Sequence, residues 1–212
     1  VKANTTSYLT ADDIDAIPLT SYNHSGIYCI PGIPDSLMVL LPGESQTPAQ
    51  SPGKTGTPTT QIAGVEFTFT VHSVDSNYNT TPTTATVKIG SSDTNAVLPS
   101  TKTLVQGTTT FAITLKTAND YRTVFADEIV SNYGLSSDTS TVYVDPNTPV
   151  KLAAIVPGLT YLPGTESGIS GTPSQQTAGV QFTITVRAVD DYWNTNASTS
   201  PTVSITTQDP ND

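Results

Sequence analysis

Ala63-Gly64-Val65-Glu66-Phe67-Thr68-Phe69-Thr70-Val71 returns further along the chain as Ala178-Gly179-Val180-Gln181-Phe182-Thr183-Ile184-Thr185-Val186, an offset of 115 residues (179 less 64). Within the first copy, Val65, Phe67, Phe69 and Val71 alternate with Glu66, Thr68, Thr70 and His72. Successive side chains of a strand point to opposite faces, so this period of two predicts a half-buried β-strand. Phe67, Phe69 and Val71 are expected inside, and Thr68, Thr70 and His72 in solvent.

The same offset holds on either side. Pro42-Gly43 matches Pro157-Gly158, Gly56-Thr57-Pro58 matches Gly171-Thr172-Pro173, and Val74-Asp75 matches Val189-Asp190. A repeat of this length is a domain and not a solenoid unit. Ile27, Cys29, Pro31, Pro34 and Leu37 align with Val142, Val144, Pro146, Pro149 and Leu152, and Val1-Lys2-Ala3 resembles Val124-Phe125-Ala126 with an insertion over residues 10–26 after it. Towards the end, Val203, Ile205, Asp209 and Asn211 match Val87, Ile89, Asp93 and Asn95 at 116 residues (203 less 87). These alignments predict the last strands of a preceding domain over 1–34, a complete domain over 35–148 and the first half of a following one over 149–212. A longer protein is expected.

Ala85, Val87 and Ile89, then Phe111, Ile113 and Leu115, then Val142 and Val144 repeat the alternation. Phe67, Phe69, Val71, Val87, Ile89, Phe111, Ile113, Leu115 and Val142 form the expected core. Turn chemistry separates the strands at Asp75-Ser76-Asn77, Ser91-Ser92-Asp93, Gln106-Gly107, Asn119-Asp120 and Asp145-Pro146-Asn147. With strands at Leu37–Leu41 and Tyr121–Ala126, the complete copy holds about seven, the number an immunoglobulin-like sandwich needs. The Pro/Gly-rich stretch 42–64 has a counterpart at 157–179, which predicts an ordered loop.

Leu41-Pro42-Gly43-Glu44, Gly53-Lys54-Thr55-Gly56-Thr57-Pro58, Ala63-Gly64, the strand ending Val74-Asp75, Ser91-Ser92-Asp93 with Asn95-Ala96 and Leu98-Pro99, and Thr110-Phe111 to Leu115-Lys116-Thr117 together resemble the tandem bacterial Ig-like repeats of very large surface proteins. The strand order and the Val124 to Asp127 segment are similar to the Ig-like domains of invasin and intimin adhesins. The resemblance implies tandem immunoglobulin-like β-sandwiches, one complete and two partial, in an extracellular, cell-surface protein. It implies a non-enzymatic stalk or filament segment that holds a binding tip away from the cell. The partners it implies are neighbouring Ig-like domains of the same or another chain, with a surface glycan or a host or cell-surface receptor met at loops on a domain end or at the tip.

Two other readings are weighed. Residues 149–212 alone would expose Phe182, Ile184, Val186, Val203 and Ile205, so strands from another molecule could complete them and build a self-assembling fibre. A carbohydrate-binding accessory module of a secreted enzyme would instead need exposed aromatics, for which Tyr78, Tyr192 and Trp193 are the candidates.

Composition argues against several functions. The net charge is −10 with only 8 basic residues, so nucleic acid and anionic membranes are not expected partners. No apolar run approaches the ~18 residues of a membrane span, so direct membrane insertion is not expected. Cys29 is the single cysteine, and its alignment with Val144 predicts a small buried hydrophobe. Only His24 and His72 are available for proton transfer, no Gly-x-Ser-x-Gly elbow is present, and no catalytic residue is assigned. Gly53-Lys54-Thr55 resembles the end of a phosphate-binding loop, but Pro48 stands where its first Gly is required, so no cofactor site is assigned.

Asp75, Asn77 and Asn79 place oxygens at alternate positions, as a calcium loop would. Tyr192 replaces the middle ligand in the second copy, so the segment reads first as an Asx turn, with these three as weak calcium candidates. Asp12, Asp13 and Asp15 form a second acidic cluster, read as solvated. Thr68, Thr70, Thr84, Thr86, Thr183 and Thr185 fit strand propensity on a solvated face. Asn4, Asn23, Asn79 and Asn196 begin N-glycosylation patterns. Lys88, the one Lys in the middle of a strand, is out of phase with the apolar residues, so an isopeptide staple is not expected.

Overall fold

The computed structural model describes residues 2–14, 19–130 and 132–208. Among them every element is a strand. A first hairpin consists of β1 (Thr5–Ala11) and β2 (Tyr22–Cys29). There follow β3 (Ser36–Leu40), β4 (Glu44–Gln46), β5 (Lys54–Gly56), β6 (Gln61–Ile62), β7 (Glu66–Val74), β8 (Thr86–Ser91), β9 (Lys102–Thr103), β10 (Thr108–Thr114), β11 (Asp120–Glu128) and β12 (Asp138–Asp145). Beyond these lie β13 (Lys151–Ile155), β14 (Leu159–Tyr161), β15 (Ile169–Gly171) and β16 (Thr185–Val189).

The middle unit is sandwich-like. One sheet has the order β10-β7-β3 and the other β6-β12-β11-β8-β9, antiparallel except for the parallel pairing of β12 with β6. Apolar residues of both sheets form one cluster, and all nine expected core residues belong to the buried set. Phe69 and Phe111 face each other across β7 and β10 with ring centroids 5.9 Å apart. Fully burying a side chain of this kind is worth about 1.5–3 kcal/mol. A polar tie closes one edge: Lys54 Nζ donates to Val39 O (3.2 Å), Thr139 O (3.0 Å) and Asp138 (3.2 Å), joining β5, β3 and β12.

Thr68 is exposed as expected, but Thr70 and His72 are half-buried. The chain from Leu41 to Glu44 folds over the outer side of β7 and lines a cavity with Thr68, Thr70 and His72. Strand parity is right there; it is a loop from outside the strand that removes the solvent. Burial holds the His72 imidazole below its ordinary pKa, and its Nδ1 has no hydrogen-bond partner.

The duplication is geometric as well as textual. Leu159 pairs with Gly171 as Glu44 pairs with Gly56, and Lys151 pairs with Val189 as Ser36 pairs with Val74. The stretches 42–64 and 157–179 are therefore ordered alike, each around a short hairpin. In the last unit, Phe182, Val203 and Ile205 are exposed, while Ile184 and Val186 are half-buried.

The first hairpin corrects two expectations. Asn4 N donates to Cys29 O (2.7 Å) and Asn119 N to Val144 O (2.8 Å), and both asparagines are left-handed, with φ of 58° and 62°. Lys2-Ala3-Asn4 is thus the counterpart of Thr117-Ala118-Asn119, not of the segment near Val124. Thr5↔Cys29 then matches Asp120↔Val144 at the common offset, so the two hairpins span equal lengths and no net insertion lies over residues 10–26. What differs is a register shift after Ser7, where Gly26, with φ of 87°, takes the extra place on β2 as a bulge. Cys29, at the position of Val144, is half-buried with Ser7 Oγ 3.9 Å from its sulfur.

Candidate functional site: the joints between repeats

Each repeat carries, just after its Phe-rich strand or that strand's counterpart, a loop of pattern Asp-x-x-x-Asn: Asp75 to Asn79 and Asp190 to Asn194. Asp75 Oδ1 accepts the Asn77 and Asn79 N–H groups, both at 2.9 Å, an Asx turn extended by one further bond. Tyr78 N donates to Asp75 O (2.8 Å) and Asp75 N to Asn79 O (2.9 Å). Tyr78 has a φ of 60°, and its ring lies against Gly53, where a Cβ would stand inside the ring. The second loop repeats this. Asp190 Oδ1 accepts Tyr192 N (3.0 Å) and Asn194 N (2.8 Å), Trp193 has a φ of 64°, and Gly168 lies beneath the indole.

The loop's remaining groups reach backwards along the chain. Asn79 Oδ1 accepts the Ala3 N–H at 2.8 Å, and Asp75 Oδ2 accepts the Gly32 N–H at 2.8 Å. At the next joint, Asn194 Oδ1 accepts Ala118 N–H at 2.9 Å and Asp190 Oδ2 accepts Asn147 N–H at 3.0 Å. Ala3 and Ala118, and Gly32 and Asn147, are each 115 residues apart (118 less 3; 147 less 32). One set of donors and acceptors thus recurs at two joints. Asp75, Asn79, Asp190 and Asn194 are all buried, where a lost partner costs far more than at the surface.

The surface that receives the second loop is itself fastened. Buried Asp93 accepts the Lys116 and Thr117 N–H groups (2.7 and 2.9 Å) and the Thr117 hydroxyl (2.7 Å), fixing the turn between β10 and β11. That turn presents Lys116 O to Asn194 Nδ2 at 2.8 Å. Asn119 Nδ2 donates to Thr195 O (2.9 Å) and Asn196 Nδ2 to Asn147 O (2.8 Å). The Lys116 ammonium stands 4.9 Å from the Tyr192 ring centroid, and that ring packs on Gly64. Its ion pair with Glu166 (3.6 Å) is exposed on the Glu side and adds little.

Burial pushes the Asp75 carboxyl upwards, but hydrogen bonds from Gly32 N–H, Asn79 N–H, the Asn79 side chain and Asn77 N–H together hold it below its ordinary value. Asn79 Nδ2 bridges both carboxylate oxygens, at 3.2 and 3.0 Å. Amide hydrogens of Gly32, Asn77 and Asn79 line this carboxylate.

The structure brings Asp75 and Asn79 together, while Asn77 is exposed and contributes its backbone N–H. Asp12 is exposed, and Asp13 Oδ2 accepts Leu19 N–H (3.1 Å); Asp15 lies outside the described residues. Among the described residues, no group of three or more His, Cys, Asp or Glu side chains is gathered as a metal site. Trp193, Tyr192 and Tyr78 are half-buried and do not form an exposed row; Tyr192 packs against the preceding repeat, whereas Trp193 Nε1 donates to Glu166 O and Lys151 Nζ lies 4.0 Å from its centroid, both within its own repeat. Lys88 and His24 are exposed.

Sequence reasoning missed Ala3, Ala118, Gly32, Asn147 and Asp93. The first four act through backbone N–H groups, which a sequence does not display. The available signal was the kept Asp-x-x-x-Asn frame around changed neighbours. Compared with known proteins, the chain matches no family model and no curated protein.

Proposed function

We propose that the chain is part of a tandem immunoglobulin-like repeat region that serves as a non-enzymatic extracellular stalk, each unit locked to the one before it by the Asp-x-x-x-Asn loop. The observation that carries this reading is the recurrence of the same joint bonds, Asn79 to Ala3 and Asp75 to Gly32, then Asn194 to Ala118 and Asp190 to Asn147. A joint repeated with the same bonds repeats the same rotation and translation, which builds an extended array. A flexible linker would need no such bonds. The order β10-β7-β3 against β6-β12-β11-β8-β9, with its one parallel pairing, fits an immunoglobulin-like sandwich. The acidic composition supports solubility of a long surface molecule.

Small-angle scattering tests the reading. The chain should give one narrow, elongated distance distribution, and the Asn79→Leu/Asn194→Leu double variant a broader one. A distribution already broad or compact in the parent protein would count against the stalk.

A further inference from the structure

We propose that the outer face of the β12-β11-β8 sheet is a binding platform for an uncharged polysaccharide, centred on Tyr121 and Tyr143. The two residues are paired directly across β11 and β12, with ring centroids 5.1 Å apart and planes at 72°. They form an aromatic corner on the sheet. Cross-strand aromatic pairs also stabilise sheets, so what matters is how much of the pair is left open to a ligand. Tyr121 is 65% exposed. Neither phenol hydroxyl has a protein hydrogen-bond partner among the described residues, so both are free to meet a ligand, as are those of Tyr8, Tyr22, Tyr78 and Tyr192.

The next row of the face is Thr123 opposite Thr141, hydroxyl to hydroxyl at 3.2 Å, and beyond it Phe125 lies flat over Gly90. From Tyr121 to Phe125 the face runs about 14 Å at strand rise, alternating ring, hydroxyl and ring. Pyranose rings present C–H faces that stack on aromatics and hydroxyl edges that pair with hydroxyls, so this alternation suits a sugar chain. Aromatic residues with one apolar body and a polar tip serve such mixed surfaces. The middle of the face carries no charge; Asp127 and Lys88 meet only at its far end. With a net charge of −10, the chain repels anionic polymers, which leaves neutral glycans as the matching class.

The first hairpin keeps aromatics on the corresponding face but not the corner itself, since Tyr28 lies opposite Thr6 and its hydroxyl donates to Asn4. Tyr28 of the first hairpin stands at the offset from Tyr143, and Tyr8, one row along the same face of β1, is 75% exposed. Weak stacking on each unit would sum along an array by multivalency, yet the platform stands whether or not the units form a rod.

The test is retention of the 212-residue chain on insoluble cellulose and chitin, and its mobility shift in gels containing soluble neutral glucan. Retention on at least one of these is expected, falling ten-fold or more in Tyr121→Ser/Tyr143→Ser. The variant's circular dichroism melting curve should match the parent's. Should that variant fail to fold, Thr141→Glu, which places a charge on an exposed position in the middle of the face, should abolish retention in its place. Absence of binding to every neutral polysaccharide, or retention unchanged by the substitutions, would overturn the platform. Loss of the stalk geometry in scattering would leave this result untouched.

Discussion

Ala118 and Asn194 are 76 residues apart in sequence and 2.9 Å apart in space, main-chain N–H to side-chain oxygen. The same Asn194 returns a bond from Nδ2 to Lys116 O, so one buried amide satisfies two backbone groups of the neighbouring unit. Asn is suited to this because its side chain carries a donor and an acceptor together.

Replacing Asn194 by Leu therefore strands the Ala118 N–H and the Lys116 carbonyl at once. Each unsatisfied buried group costs about 1–3 kcal/mol. Amide hydrogen exchange at Ala118 should accelerate markedly, while exchange at Phe111 and Ile113 stays slow. Equal acceleration everywhere would mean that the unit itself, not the joint, had been destabilised.

The joint at Asp75 should open in acid. Its folded pKa lies below the ordinary value of 3.8, so the carboxylate stabilises the folded joint at every pH above that value. The contribution is lost as pH falls through the lower folded pKa. Exchange protection at the Gly32 N–H should hold at pH 5 and be lost only once the pH falls below the ordinary value of 3.8; loss already at pH 5 would contradict the hydrogen-bonded carboxylate. Asp75→Asn should remove this dependence.

Chelators should leave the protein unchanged. The Asn79 amide already occupies both Asp75 oxygens, so melting curves with calcium and with EGTA should superimpose. A calcium-dependent rise in Tm that disappears in Asp75→Ala would instead restore the metal reading for Asp75, Asn77 and Asn79.

In the core, Phe69→Ala removes a ring stacked on Phe111 at 3% exposure. The expected loss is about 3–5 kcal/mol in urea unfolding. A loss below about 1 kcal/mol would mean that the cavity collapses almost completely.

The core was legible because alternation alone assigns faces: Phe67, Phe69 and Val71 had to share one side whatever covered them. His72 shows the limit. Its parity was read correctly, but its burial depends on the loop from Leu41 to Glu44, and strand periodicity carries no information about a distant loop. The asparagines show a second limit. Val1-Lys2-Ala3 was matched to Val124-Phe125-Ala126 on side-chain likeness, whereas the true equivalence rests on the left-handed backbone of Asn4 and Asn119. Asn tolerates that conformation better than most residues, so the Ala-Asn pair was the available clue. The aromatic corner was not legible for a related reason. Tyr121 and Tyr143 meet only once the β11–β12 register is set, whereas the more conspicuous Trp193 is packed within its own repeat against Gly168 and Lys151.

The equal spacing of the two joints has a consequence for how the gene can change. Both halves of a joint, the Asp-x-x-x-Asn loop and the Ala-Asn turn that receives it, lie within every 115-residue period. Unequal recombination that adds or deletes one whole period would therefore keep the Asp and Asn acceptors and the Ala-Asn turn at each new boundary.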